Sequence, residues 1–358
     1  MKILFAYNIV EHDNEYVSRM AEITRSIENA EVVSSLEEFW NPTRQYDFVF
    51  INWPDYLFNW RKDINEKDVQ NLKNIFNHFK NQKTCIITTL HDEYAHHDRS
   101  DFRDRIFDIC YIKCDYLVHL GEFSLNKYKH DPAYAGINHR LVYHPLFKKF
   151  DFQLDKQFVR KELKIRKKDY YIIVPGGIRH QYEFDYVMKI FKQLNLPHKK
   201  IMFLRSTTIK KPPRKFNKEF ILFKIRELAD KKIRKVYQYY KFMETSMLSK
   251  YFEASDLVIL PRTDILNSGN VTLGTQFNKL IIGPDAGNIK EQLEKYEHII
   301  IDPSQIENID FDGLIKEKDS IKSRKKKIHE VQSDEVIKSQ LKEIFDPSVS
   351  IPDRKTSG

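Results

Sequence analysis

Four short stretches of the chain bring together side chains that a single turn can present to a ligand. The first is LHDEYAHHDR, led by His91 and Asp92. Imidazole and carboxylate can each accept a proton, so the pair suits a general base or a group that holds a sugar hydroxyl. His91, Asp92, His96, His97 and Asp98 are also dense in metal-ligand types, but their spacing matches no usual zinc signature. A loop with a capping Asp and solvated histidines accounts for the same residues. The second stretch is VPGGIRHQYEF, where Pro175-Gly176-Gly177 is followed by Arg179. Glycines let a backbone approach a phosphate, and Arg offers it a rigid fork of donors. It is neither a Walker loop nor the GxGxxG fingerprint, and an ordinary strand-to-helix turn would read the same way.

The third stretch, LPRTDILNSGNVTLG, has Ser268-Gly269-Asn270 at the start of a short helix. A helix N-terminus presents free N–H groups and a positive dipole end, which together hold an anion, and the Ser268 hydroxyl can add a donor. A simple N-cap is the plainer account. In the fourth, IIGPDAGNIKE, a glycine loop opens a helix with Glu291 one turn in. That acid can touch a sugar or ribose, or can merely favour the helix start. The order of the four is more informative than any one. A His-Asp turn comes first, then three phosphate- or sugar-suited turns, which suits an acceptor held by one part of the chain and a donor by the next.

Such turns need strands to carry them. Short β-branched runs alternate with helix-length segments from the start: KILFAY, a helix from Tyr16 to Ile27, EVVSSL, DFVFIN, a helix over Val69 to Phe79, TCIITT, DYLVHL and RLVYHP. Continuous apolar runs of this kind predict a parallel sheet covered on both faces. Residues 150–168 are charged and poor in strand character, which predicts a boundary. A second alternation follows: DYYIIVPGG, a helix with Phe184, Val187, Met188, Phe191 and Leu194 on one face, KIMFLR, the proline loop IKKPPRKF, KVYQYY, a helix from Ser246 to Ala254 capped by Ser246 or Thr245, DLVILP, NVTLGTQFN and KLIIG. The expected organisation is an N-terminal Rossmann-like domain over 1–150, a linker over 151–168 and a second over 169–330. A helix capped by Ser333 with Ile337, Leu341, Ile344 and Phe345 on one face, and a loose tail, occupy 331–358.

Composition fits this layout. The chain has 358 residues, ample for two buried cores, with 41% apolar and 31% charged residues, which excludes a disordered chain. No apolar run approaches the ~20 residues needed to span a bilayer. The run Ile3 to Tyr7 is too short for a signal-peptide core and reads as a first strand. Three cysteines predict a reduced, cytoplasmic protein. The net charge of +9 fits an anionic ligand, an anionic membrane face or nucleic acid.

The segments TTLHDEYAHHD, DYLVHLGEFSLNKY and HRLVYHPLF, then VPGGIRHQYEF, and finally LSKYFEASDLVILPRTDILNSG with KLIIGPDAGNIKE resemble the GT-B glycosyltransferases, in particular the family-4-like group that builds bacterial surface polysaccharides. The resemblance implies an α/β fold of two Rossmann-like doubly wound domains facing across a cleft, with the last helix crossing back to the first domain. It implies a metal-independent hexosyltransferase without cofactor that takes a UDP- or GDP-sugar as co-substrate. The acceptor would be a glycan or lipid-linked glycan. Arg179 would neutralise the diphosphate, assisted by Gly177, Ser268, Gly269 and Asn270, with Arg262, Asp264 and Glu291 near the same pocket. His91 and Asp92 would face the transferred sugar or the acceptor, with Asp92 as base in an inverting reaction. Glu183 stands near a position where the group often has Lys, which leaves Lys210 or Lys211 to compensate. A sugar-nucleotide epimerase, a phosphorylase or a non-catalytic nucleotide-binding protein would share the fold. On this reading the +9 serves diphosphate and peripheral inner-membrane attraction, and the chain has no nucleic-acid partner.

Overall fold

The structure, a computed structural model, describes every residue except 12–13, 96–99, 206–217, 242, 322 and 347–358. It divides into two units: Met1–Leu146 with the chain from Glu330 onward, and Phe147–His329. Each is built on a six-stranded, all-parallel sheet.

In the first unit the strands are β1 (Lys2–Phe5), β2 (Glu31–Ser34), β3 (Phe48–Ile51), β4 (Cys85–Leu90), β5 (Tyr116–His119) and β6 (Asn138–Leu141), ordered β2-β1-β3-β4-β5-β6. The runs of β3, β4 and β5 coincide with apolar runs of the sequence because these strands are covered on both faces, and every residue of β4 and β5 is buried; the run RLVYHP meets β6 only at Arg140 and Leu141. Cys85, Cys110 and Cys114 are buried and unbridged. The core is closed by the helix Asp334–Phe345, whose Ile337, Leu341, Ile344 and Phe345 join Phe5, Val17, Met20 and Tyr116. Ser333 caps this helix through the Val336 N–H, and Asp334 pairs with the buried Arg19 of helix Glu15–Arg25. Each fully buried aliphatic side chain contributes about 1.5–3 kcal/mol, so this late helix is integral to the first unit.

The second unit contains β7 (Tyr170–Val174), β8 (Lys199–Phe203), β9 (Val236–Gln238), β10 (Leu257–Ile259), β11 (Leu280–Pro284) and β12 (Ile299–Ile301), ordered β12-β11-β10-β7-β8-β9. This is the dinucleotide-binding order with its switch point between β7 and β10. The stretch expected as a linker over 151–168 belongs to this unit. It forms a helix, Lys156–Glu162, with Val159 buried. Its charges are paired: Lys156 and Arg160 reach Asp256 at 2.7 and 2.8 Å, and Arg166 reaches Asp169 at 2.9 Å. The helix Thr245–Ala254 is capped by Glu244 with no side-chain cap bond, rather than by Thr245 or Ser246. The proline loop IKKPPRKF, together with Lys210 and Lys211, lies outside the described residues, as does the tail from residue 347. Among the described residues no helix is long and apolar enough to cross a membrane.

Candidate functional site

In the first unit the turns after β1, β3 and β4 carry the candidate residues. His91 follows β4 and is buried, not solvated. Its ring stacks on Trp53 with centroids 4.3 Å apart and meets Tyr16 edge-on at 4.6 Å. Burial pushes its pKa down to about 3, so the ring is neutral at physiological pH. His144, buried beside Tyr16, is likewise pushed down to about 4. Asp92 is half-buried, and its carbonyl accepts from the Tyr111 hydroxyl at 2.8 Å. The next residue, Glu93, accepts from Tyr128 and Lys127 at 2.6 and 2.5 Å, which anchors the loop. His96, His97 and Asp98 lie outside the described residues, and among the described residues no three metal-ligating side chains come together.

Several members of this constellation are invisible in the HDEY motif. Trp53 and Trp60 flank the turn after β3, with Tyr56 beneath Trp60 and Tyr7 stacked on Tyr56 at 4.0 Å. Trp60 is exposed. The loop is held by buried Arg103, which pairs with Asp55 at 2.9 Å and donates to the Arg61 carbonyl at 2.7 Å. Asn52, at the end of β3, is buried with neither amide atom hydrogen-bonded among the described residues. An aromatic surface beside a few polar groups suits the apolar face and hydroxyls of a sugar.

In the second unit the three nominated turns converge. Gly176 has φ +84°, a conformation that favours glycine, and a Cβ there would lie 3.4 Å from Asn270 Nδ2. The VPGG turn and the SGN helix start therefore face each other across the β7–β10 switch point. Arg262 donates to the Gly177 carbonyl at 3.4 Å and lies 3.8 Å from Glu183. Gly287, at φ +47°, packs on the Leu266 backbone, where a Cβ would come within 2.8 Å of the carbonyl. Asn288 fixes the same junction, with its N–H on Leu266 O at 3.0 Å and its amide on Asn267 at 2.7 Å. Glu291 sits half-buried in the helix Gly287–Lys295 that follows.

Two polar side chains at this junction, Ser268 and Arg179, are not tied into the fold among the described residues. Ser268 is the N-cap residue of helix Gly269–Gln276, yet its side chain makes no capping bond. Arg179 is half-buried, and among the described residues no hydrogen bond or ion pair ties its guanidinium. Its backbone N–H, with that of His180, is instead held by Glu183, which is buried at the start of helix Gln181–Gln193. Glu183 is thus a capping carboxylate that shapes the Arg179 turn and pairs with Arg262, a role its place in the motif did not suggest. Tyr182 donates to Asp264 at 2.9 Å; burial, then this bond, raises its pKa to about 12.

Solved structures of low sequence identity share this architecture. Sucrose-phosphate synthase from Thermosynechococcus elongatus matches with TM-score 0.67 at 9% identity, covering 96% of this chain and 98% of that one. HepE of Anabaena, solved with UDP-glucose, matches with TM-score 0.63 at 12% identity over 96% and 99% of the two chains. The fold is GT-B. The lipopolysaccharide outer core galactosyltransferase WaaB, in its apo form, shares the GT-B fold with TM-score 0.58 at 11% identity over 96% and 99%. No protein-family model matches the chain, and no curated protein matches it in sequence.

Proposed function

We propose that the protein is a glycosyltransferase that moves a hexose from a nucleotide-diphosphate sugar to a glycan or lipid-linked glycan acceptor. The observation that carries the reading is the convergence of the three turns at the β7–β10 switch point: Gly176 against Asn270, Arg262 on Gly177, and Gly287 on Leu266. Open parallel sheets bind ligands in the crevice at such a point. The donor diphosphate would lie there, within reach of Arg179, the Ser268 hydroxyl and the free N–H groups opening helix Gly269–Gln276. Gly177, Asn270, Arg262 and Glu291 would complete the pocket. Cleavage of the sugar–phosphate bond leaves a nucleoside diphosphate with an extra negative charge. Positive groups fixed beforehand on that oxygen lower the barrier without reorganising. HepE and its bound UDP-glucose lend the donor class weight.

The first unit would take the acceptor. Neutral His91, wedged against Trp53 and Tyr16, can orient a hydroxyl but is too weak a base to remove its proton. Asp92, half-buried beside it, is the group suited to accept the proton as the hydroxyl attacks. Trp60 and Trp53 would stack on the acceptor sugar. Surface polysaccharide assembly is the setting in which such an acceptor occurs, and the reaction would need no metal.

The test is to incubate the protein with UDP-, GDP- and ADP-sugars and to follow nucleoside diphosphate release with and without glycan acceptors. The reading expects slow release with at least one donor and stimulation by acceptor. It fails if none of these donors is bound or cleaved. Epimerised free sugar without acceptor would point to a different reaction on the same site.

A further inference from the structure

Basic residues are dense over 156–168, 218–235 and 316–327 of the second unit. In the first, Lys156 and Arg160 pair with Asp256 at 2.7 and 2.8 Å, and Arg166 with Asp169 at 2.9 Å. In the third, Arg324 is buried and donates to the carbonyls of Glu297 and Ile321 at 2.9 and 2.7 Å. These four charges, Lys156, Arg160, Arg166 and Arg324, are tied into the fold.

Residues 218–235 behave otherwise. The helix Lys218–Ala229 has no buried side chain and runs into a π-helical turn, Asp230–Arg234. Ile221, Leu222, Ile225, Leu228 and Ile233 are 48%, 53%, 57%, 54% and 78% exposed. At about 100° per residue, Ile221, Leu222, Ile225 and Leu228 fall within an arc of roughly 120°, with Lys224 on one edge and Arg226 on the other. Phe220, Phe223 and Glu227 take the opposite side, where Phe223 meets Tyr240 with centroids 5.9 Å apart. Seven basic and three acidic residues lie between Lys218 and Lys235. Two of the acids are engaged, Glu227 by Lys224 and Lys231 and Asp230 by Arg234. Lys218, Arg226, Lys232 and Lys235 are exposed and make no ion pair among the described residues.

Single exposed aliphatic residues are ordinary, but a contiguous stripe on one helix marks a binding surface. A stripe edged on both sides by cations complements a partner that is apolar below and anionic above. We infer that the helix Lys218–Ala229 and its π-helical turn dock the second unit on an anionic lipid bilayer. Ile221, Leu222, Ile225 and Leu228 enter the headgroup–acyl boundary, and the flanking lysines and arginines meet lipid phosphates. The inference is independent of the proposed reaction.

The experiment is sedimentation of the full chain with phosphatidylcholine vesicles, with and without phosphatidylglycerol, at low and high salt. The wild type binds the phosphatidylglycerol vesicles, more weakly as salt rises, and leaves pure phosphatidylcholine largely unbound. Ile221→Glu with Ile225→Glu weakens that binding at least about tenfold while the melting temperature and circular dichroism stay unchanged, because both side chains are exposed. Lys232→Glu with Lys235→Glu, a second variant that leaves the apolar stripe intact, removes the preference for phosphatidylglycerol. Equal vesicle binding by the wild type and the Ile variant overturns the inference, as does no binding of the wild type to anionic vesicles. So does a wild-type dimer that the Ile variant abolishes without vesicle binding, which would assign the stripe to a second copy of the chain.

Discussion

At the end of β4 in the first unit, His91 is clamped between Trp53 and Tyr16 and kept neutral by burial. At the end of β7 in the second, Arg179 stands half-exposed with no tie among the described residues, opposite an N-cap serine that does not cap. Both positions are strand ends of parallel six-stranded sheets, so the fold alone does not make them differ. The first is furnished with apolar rings and a few neutral polar groups. The second is furnished with cationic and N–H donors left open. Rings and hydroxyl-sized polar groups recognise an uncharged sugar face, and open donors recognise a diphosphate. The contrast is what divides acceptor from donor in the proposed reaction.

The largest way to break that division is at Asp92. Asp92→Asn should lower kcat by about 10²–10⁴ if Asp92 takes the acceptor proton, with donor affinity unchanged; steady-state kinetics at saturating donor checks it. Arg179→Ala should cost about 10² in kcat/KM and should leave the melting temperature of the ligand-free protein where it was, since among the described residues nothing in the fold is held by the guanidinium.

Acid separates the units in another way. His91, His119 and His144 of the first unit are buried, and burial lowers their pKa values to about 3, about 3 and about 4 from 6.5. Between those values and 6.5 the unfolded chain binds more protons than the folded one, so stability is full above pH 6.5 and falls as pH drops toward 4. In the second unit, buried His298 is pushed the same way. Three such groups against one predict that the first unit yields earlier, by an amount of order several kcal/mol. All three tryptophans, Trp40, Trp53 and Trp60, lie in the first unit. Their fluorescence should therefore change at a higher pH than far-UV circular dichroism of the whole chain; coincident transitions would contradict the contrast. The smallest effect is expected at Gly176. Gly176→Ala should destabilise by about 1 kcal/mol, because φ is +84° there, and it should weaken donor binding by crowding Asn270.

The central strands were legible in sequence because they are covered on both faces and therefore read as unbroken apolar runs. The three turns of the second unit were legible because glycine, Ser-Gly-Asn and Arg follow those runs directly. What escaped depends on partners distant in sequence. The aromatic clamp on His91 comes from Tyr16 and Trp53, on other elements, and Asn52 carries no motif. Helix Lys156–Glu162 read as linker because its stabilising acid, Asp256, lies about a hundred positions on. Glu183 read as a missing lysine because a capping carboxylate and a ligand residue occupy the same place in a motif. The apolar residues of Lys218–Ala229 have helical spacing, and spacing by itself does not separate a core face from one turned outward.

If the second unit alone supplies the donor site, calorimetric titration of UDP-glucose will separate wild type, Arg179→Ala and Asp92→Asn. Asp92→Asn should bind like the wild type, and Arg179→Ala should bind at least about tenfold more weakly, the loss of one charge-assisted contact. Undiminished binding by Arg179→Ala, with binding lost in Asp92→Asn, would contradict it.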